Sequence, residues 1–278
     1  VSLLLVLALA AGLPAAGAVP ARVASLNLAS DEVLAEILPA ERLVAVTRLV
    51  DEPGTSNAVG RVPRSAQRFA RVDVERLVAL GPDLVVVSEY TDADALRLLA
   101  STGIRTHRMA GLDSFPGYRR AILELGRVVG EPQAAARLVE RFDRVLADLR
   151  RRLDGAPRPR VLYWADGMTA GNGTAIGALI EAGGGRNLAA ELGLQGIVPI
   201  GAERAFAADP DVVLTGSGTG TAADLHAHPL LSGLRALREG RLVEMPPELI
   251  VALSQHAADA AWDLAHRLHP DRVGTPRP

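Results

Sequence analysis

Residues 131–153 read EPQAAARLVERFDRVLADLRRRL, the longest uninterrupted helical pattern in this chain of 278 residues. Gly130 breaks the helix before it, Pro132 falls in the first turn where a missing N–H costs nothing, and Asp154-Gly155 followed by Pro157 and Pro159 ends it. At about 1.5 Å per residue the segment reaches roughly 33 Å, more than a single small lobe needs. Leu138, Phe142, Val145, Leu149 and Leu153 recur at three- and four-residue spacing as one narrow apolar stripe, while Arg137, Glu140, Arg144, Asp148 and Arg152 lie off it. Glu140 with Arg144 and Asp148 with Arg152 set the acid four residues before the base, the better orientation, worth about 0.2–0.5 kcal/mol per pair. The competing reading is a surface helix of one domain. The sequence on either side favours a rod between two lobes.

On the N-terminal side stands ERLVALGPDLVVVS, Glu75 to Ser88; on the C-terminal side, ERAFAADPDVVLTG, Glu203 to Gly216. Glu-Arg, Ala79 or Ala207, Pro82-Asp83 or Pro210-Asp211 and a β-branched run fall at one constant offset. Each copy describes a short helix, a Pro-Asp turn and a strand buried on both faces. Single strands alternate with helices throughout, so the expected fold is α/β: two Rossmann-like lobes with mainly parallel sheets joined by one long α-helix. The expected division is a leader over 1–18, an N-terminal lobe over 19–130, the linker helix over 131–155 and a C-terminal lobe over 156–278.

Composition narrows the function classes. A formal charge of −2 gives no reason to expect nucleic acid or an anionic membrane as partner. Cysteine is absent, which removes disulfides, thiolate metal sites, a cysteine nucleophile and a lipid-anchor cysteine within this sequence. Val1 to Ala18 is an apolar run ending in the A-x-A signal Ala16-Gly17-Ala18, with an apolar core too short for a bilayer, which takes about 20 residues. The expectation is a signal peptide and an exported, periplasmic protein.

In parallel sheets ligands sit beyond the carboxyl ends of the strands. That rule nominates Asn27, Thr47, Ser88, Glu89 and Tyr90 in the first lobe, and Trp164, Asp166, Ser217 and Met245 in the second. Tyr90 and Trp164 are the aromatics expected in a cleft, whereas Phe142 and Trp262 belong to apolar helix faces and are expected in the core. The polar loop Asp51 to Arg71 is long enough to suggest function, and its arginines, Arg68 among them, are either a solvated cluster or a rim for an anionic ligand. Ser30-Asp31-Glu32 is read as opening a helix, and one continuous helix is expected from about Glu248 to Leu268.

Catalytic and metal signatures are weak. Gly216-Ser217-Gly218-Thr219-Gly220 lacks the G-x-G-x-x-G spacing of a dinucleotide loop, and there is no P-loop, nucleophile elbow or HExxH. A receptor for free metal ions would need His107, His226, His228 or His256 to converge; an enzyme would need the cleft carboxylates Glu89 and Asp166 to act together. Glu75 and Glu203 stand out differently. Each opens the short helix of its lobe, and as a matched pair they suit a partner of two-fold symmetry carrying paired arginines.

Taken as a set, these segments resemble the substrate-binding proteins of ABC importers for vitamin B12, ferric siderophores and haem. The resemblance covers about Arg22 to His269, through the VASL strand at Val23, Glu32 to Leu38, LVAV at Leu43, Val59-Gly60, VDVERLVALGPDLVVVS, Ala182-Gly183-Gly184 with Asn187, the Glu203 repeat and His228-Pro229-Leu230. It implies a monomeric, non-enzymatic receptor without a resident cofactor, which captures a metal chelate between its lobes and delivers it to an ABC permease dimer. Glu75 and Glu203 match the family's two docking glutamates, and the long helix implies limited closure. The expected ligand contacts are Tyr90, Trp164, Asn27, Arg68, Ser217 and Met245. Cobalamin or a ferric siderophore is favoured over haem, because haem-binding members carry a tyrosine in the loop before the first docking glutamate and Val59 to Val72 has none.

Overall fold

The computed structural model describes residues 18–275, so the expected leader lies outside the described residues except for Ala18. The first lobe runs β1 (Val23–Ser25), α1 (Leu28–Ile37), β2 (Leu43–Thr47), β3 (Gln67–Phe69), α2 (Val74–Leu80), β4 (Leu84–Ser88), α3 (Ala93–Ser101), β5 (Arg105–Met109) and α4 (Phe115–Val128). Its five strands form an all-parallel sheet in the order β3-β2-β1-β4-β5. The connecting helix α5 (Pro132–Arg152) follows. The second lobe runs β6 (Arg160–Tyr163), β7 (Met168–Ala170), α6 (Ala175–Ala182), β8 (Arg186–Asn187), α7 (Leu188–Glu191), β9 (Ile197–Pro199), α8 (Ala202–Ala208), β10 (Val212–Gly216), α9 (Thr221–Ala227), α10 (Arg235–Arg238), β11 (Leu242–Met245), α11 (Pro247–Ile250) and α12 (Ala257–Leu268). Four of its strands are parallel in the order β11-β10-β6-β8, and β7 with β9 makes a small antiparallel ribbon.

The repeat is structural. Leu84 pairs with Val23 in the first sheet as Val212 pairs with Val161 in the second. The Pro-Asp turn explains why the motif recurs. Asp83 Oδ2 accepts the backbone N–H of Ala21 and Arg22 at 2.8 and 2.9 Å, and Asp211 Oδ2 accepts that of Arg160 at 2.8 Å. The same arginines reach the carbonyls that end the preceding helix, Arg22 those of Leu80 and Gly81 and Arg160 those of Ala208 and Asp209. Each aspartate thus pins the start of a central strand, and the arginine it holds caps the helix before the next one. Both helices end on a left-handed residue, Gly81 at φ 63° and Asp209 at φ 44°.

Strand alternation then sorts the side chains into layers. In the first lobe Val23, Leu84 and Val86 enter the layer shared with α1, α4 and α5, while Ala24, Val85 and Val87 face α2 and α3. In the second, Val161, Leu214 and Met245 face α5 and α12, and Leu162, Trp164 and Val213 face the opposite layer.

Helix α5 belongs to both cores. Ala135, Leu138, Val139 and Phe142 are buried with the first lobe, Leu149 with the second, and Val145 and Leu146 pack on both. Gly130, at φ 77°, turns the chain from α4 into it. Of its two expected ion pairs, Asp148–Arg152 forms at 3.1 Å. Glu140 makes no ion pair among the described residues; the neighbouring Arg141 crosses to Glu36 on α1 instead. The expected single terminal helix is two, broken between Ile250 and Ala257. The cause is tertiary: Ser254 and Gln255 in the break bind Glu32 of the first lobe. Ala257 and Ala258 consequently pack in the first core, while Ala260 to Ala265 pack in the second.

Removing the strand clamp leaves two backbone donors without their carboxylate. Asp83→Ala should lower stability by about 1–3 kcal/mol with an unchanged denaturant slope, as read from urea unfolding of the purified chain.

Candidate functional site

The lobes meet where the strands of the first sheet end. Asn27 has extended backbone and its side-chain Oδ1 accepts the N–H of Ser30 at 3.0 Å, so Asn27, not Ser30, caps α1. Ser30 turns inward onto Ser25, 2.6 Å away. The first turn of α1 then carries Asp31 and Glu32 into the interior, where both are buried.

Glu32 is the hub of the seam. Its Oε1 accepts the backbone N–H of Asn57 at 2.8 Å and its side-chain amide at 3.1 Å, and its Oε2 accepts the hydroxyl of Ser254. The Gln255 amide donates to the Glu32 carbonyl at 3.1 Å, and Asn57 Nδ2 also donates to the Glu248 carbonyl at 2.9 Å. One buried carboxylate therefore ties α1, the 51–66 loop and the 248–255 segment of the second lobe together, with a hydrogen-bond donor on each of its oxygens.

Beside this hub lies a cavity of about 170 Å³. Asn27, Ala29, Thr55, Asn57, Ser88, Tyr90 and Leu112 wall it from the first lobe and Glu248, Val251, Ala252 and Leu253 from the second. Two polar atoms there are buried without a hydrogen-bond partner, Asn27 Nδ2 and Glu248 Oε2. Tyr90 at 67% and Val251 at 49% exposure stand at its mouth. Burial, with Glu89 and Asp113 nearby, pushes the Tyr90 phenol above its ordinary pKa, so it stays protonated at neutral pH. A larger groove of about 820 Å³ runs between α4, α5 and α6. It opens beside the connecting helix, away from the strand ends, and its Arg119 and Arg158 are paired with Asp143 and Glu181.

The candidate ligand contacts separate into two groups. Tyr90 and Asn27 line the interlobe cavity. Trp164 does not: it follows Leu162 on the same strand face into the second core and is 9% exposed. Met245 is fully buried beside Val161 and Leu214. Ser217 is outside the cavity wall, its N–H bound to the Met245 carbonyl at 2.7 Å. Arg68 is spent on its own loop, through Asp51 at 2.7 Å and the carbonyls of Pro63 and Ala66, and this pairing holds the Asp51 carboxyl below its ordinary range. It offers no free cation to a ligand.

Glu89 accepts the N–H of Leu112 at 2.9 Å, and Asp166 sits exposed in a left-handed turn at φ 47°. His228 Nδ1 accepts the N–H groups of Leu230 and Leu231, His256 pairs with Asp259 at 3.0 Å, and His107 lies on β5 in the first lobe. No group of three metal-ligating side chains occurs among the described residues. Sequence reasoning missed Asn57, Glu248, Ser254 and Gln255, which nothing local distinguishes from ordinary loop and helix residues. Glu32 left a trace: an adjacent acid pair, Asp31-Glu32, in a helix whose residues are mostly apolar.

Two parallel α/β lobes with a cavity at the strand ends have the layout of a two-lobed ligand-capture protein. The chain belongs to the periplasmic binding protein family, which it matches over residues 23–249. It is 35% identical over 202 residues to a cobalamin-binding protein of Halobacterium salinarum, covering 71% of this chain and 54% of the relative, so the match spans about half of that protein's length. An ABC transporter substrate-binding lipoprotein of Bacillus subtilis, itself uncharacterized, is 23% identical over 268 residues, 91% of this chain and 81% of the relative. Among solved structures, the apo haem-binding protein of Roseiflexus sp. RS-1 superimposes with a TM-score of 0.76 at 24% identity, covering 90% of this chain and 98% of that one. No helix among the described residues is long and apolar enough to cross a membrane.

Next to the hub, Asp31 is fully buried, with Oδ2 accepting the N–H of Thr47 at 3.0 Å and its hydroxyl, and with Oδ1 unpartnered. Burial raises its pKa to about 7, against the hydrogen bonds from Thr47 that lower it. The folded state therefore holds this proton more tightly than the unfolded chain does. Its contribution is full below the unfolded pKa near 4 and is lost as pH rises towards 7, by at most about 1.4 kcal/mol per pH unit. Asp31→Asn should flatten that limb and raise the thermal midpoint at pH 8 relative to the parent chain, as measured by circular dichroism between pH 4 and 8.

Proposed function

We propose that this chain is the capture component of an ABC importer, which binds a metal chelate between its lobes in the periplasm and delivers it to a membrane permease without catalysing a reaction. In this reading residues 1–18 are an export leader, 19–130 and 156–278 are the two lobes, 131–155 join them, and the receptor works as a monomer. The observation that carries the proposal is the strand-end cavity, shared by both lobes and fronted by the exposed ring of Tyr90. Cobalamin is the first-choice cargo. The cobalamin-binding relative supports it, as does a cleft whose cavity wall holds no arginine to pair with the carboxylates of haem. A ferric siderophore comes next and haem last.

The two-fold docking surface draws support from a second correspondence within the repeat. Glu75 and Glu203 are the second residues of α2 and α8, and both are exposed without an ion pair among the described residues. The arginine after each turns back to its own lobe, Arg76 over the ring of Phe69 at 4.9 Å and Arg204 to the Leu192 carbonyl at 3.0 Å. One turn on, Val78 at 49% and Phe206 at 39% exposure occupy matching positions. Each lobe thus offers an acid beside an apolar side chain, which suits paired arginines set in apolar surroundings on a symmetric partner.

Calorimetry of the chain with cyanocobalamin, haemin and a ferric hydroxamate should give its tightest binding with cyanocobalamin; silence with all three removes the reading. Tyr90→Ala should weaken cyanocobalamin binding roughly five- to tenfold through loss of its stacking surface. The double variant Glu75→Ala with Glu203→Ala should retain ligand affinity and lose attachment to permease-containing liposomes, and the reverse pattern would contradict the docking assignment.

A further inference from the structure

We propose that the cavity beside Glu32 receives a neutral carboxamide arm of the cargo and turns away a carboxylate arm. This rests on the chelate-binding reading and deepens it. The Asn27 side chain cannot rotate freely, because its Oδ1 is committed to the Ser30 N–H at 3.0 Å. Its Nδ2, a donor, is therefore presented on the other side, buried and without an acceptor. Across the lobe boundary Glu248 is held by its carbonyl, which accepts from Asn57 Nδ2 at 2.9 Å, and its Oε2 is buried without a donor. An orphan donor and an orphan acceptor in one small cavity each carry a desolvation cost of about 1–3 kcal/mol.

A primary carboxamide answers both, its carbonyl accepting from Asn27 and its amino group donating to Glu248. An ammonium would leave Asn27 without an acceptor. A carboxylate would face two acids of the wall, Glu248 and Glu32, with no arginine there to balance it. Size agrees: about 170 Å³ accommodates a side arm, not a macrocycle, so the body of the chelate rests outside against Tyr90 and Val251. Corrinoids carry carboxamide arms around the ring, whereas haem carries carboxylates.

The test compares cyanocobalamin with its derivatives in which a single peripheral carboxamide has been hydrolysed to the carboxylate, by calorimetry on the full chain. The expected result is that at least one monocarboxylate binds about tenfold or more weakly than the parent, a loss of the order expected for an unpaired buried polar group. Glu248→Gln should shrink that gap to about threefold or less, since a neutral amide no longer repels the acid. Asn27→Asp keeps the helix cap but replaces the donor with an acceptor, so it should weaken the parent ligand about tenfold while leaving the thermal midpoint near that of the unaltered chain. Equal affinity for every monocarboxylate, or a gap untouched by Glu248→Gln in a folded variant, overturns the carboxamide assignment and leaves the capture reading standing. Haemin binding without cyanocobalamin binding overturns the assignment and the choice of cobalamin together.

Discussion

The apolar stripe of α5 passes through two separate hydrophobic cores, and the rest of the molecule is arranged around that fact. Phe142 is buried among first-lobe residues, Leu149 among second-lobe residues, and Val145 and Leu146 touch both. A hinge placed in this helix would have to break main-chain hydrogen bonds and pull side chains from close-packed surroundings at the same time. The rod is doubled by α12, whose first alanines pack in one core and whose later residues pack in the other. Bending at the lobe boundary therefore costs more than it would in a linker that packs on neither lobe.

The seam at Glu32 complements this rigidity. It is polar and buried, and it links α1 to two other segments, an arrangement that fixes geometry more than it adds stability. Four polar atoms at or beside the seam are buried without a partner, Asp31 Oδ1, Gln255 Oε1, Asn27 Nδ2 and Glu248 Oε2, and the last two belong to residues that line the cavity. Unpaired polar atoms on a cavity wall are the ones a bound molecule can satisfy.

Much of the fold was legible because it repeats. Glu-Arg, Pro-Asp and a β-branched run recur with the same structural duties, the aspartate pinning a strand start and the arginine facing home. Long periodic elements such as α4 and α5 declare themselves; β8, with two residues, and the ribbon of β7 and β9 are too short to do so. The site was half legible. The strand-end rule locates positions without giving the direction of a side chain, and alternation sends Trp164 and Met245 into the core while Tyr90, beyond the end of β4, escapes it. The break before α12 was hidden because Val251 to His256 contains no glycine or proline, and contacts to Glu32 from across the lobe boundary override local preference.

Packing Ala257 and Ala258 into the core that begins with Val23 also imposes an order of events on biogenesis. As the polypeptide leaves a ribosome or a translocation channel, its opening sheet can collapse early, yet that half lacks part of its interior until nearly the whole chain has emerged. Until then the part of the first core that Ala257 and Ala258 cover stays open, so the opening half completes its interior only with the closing one.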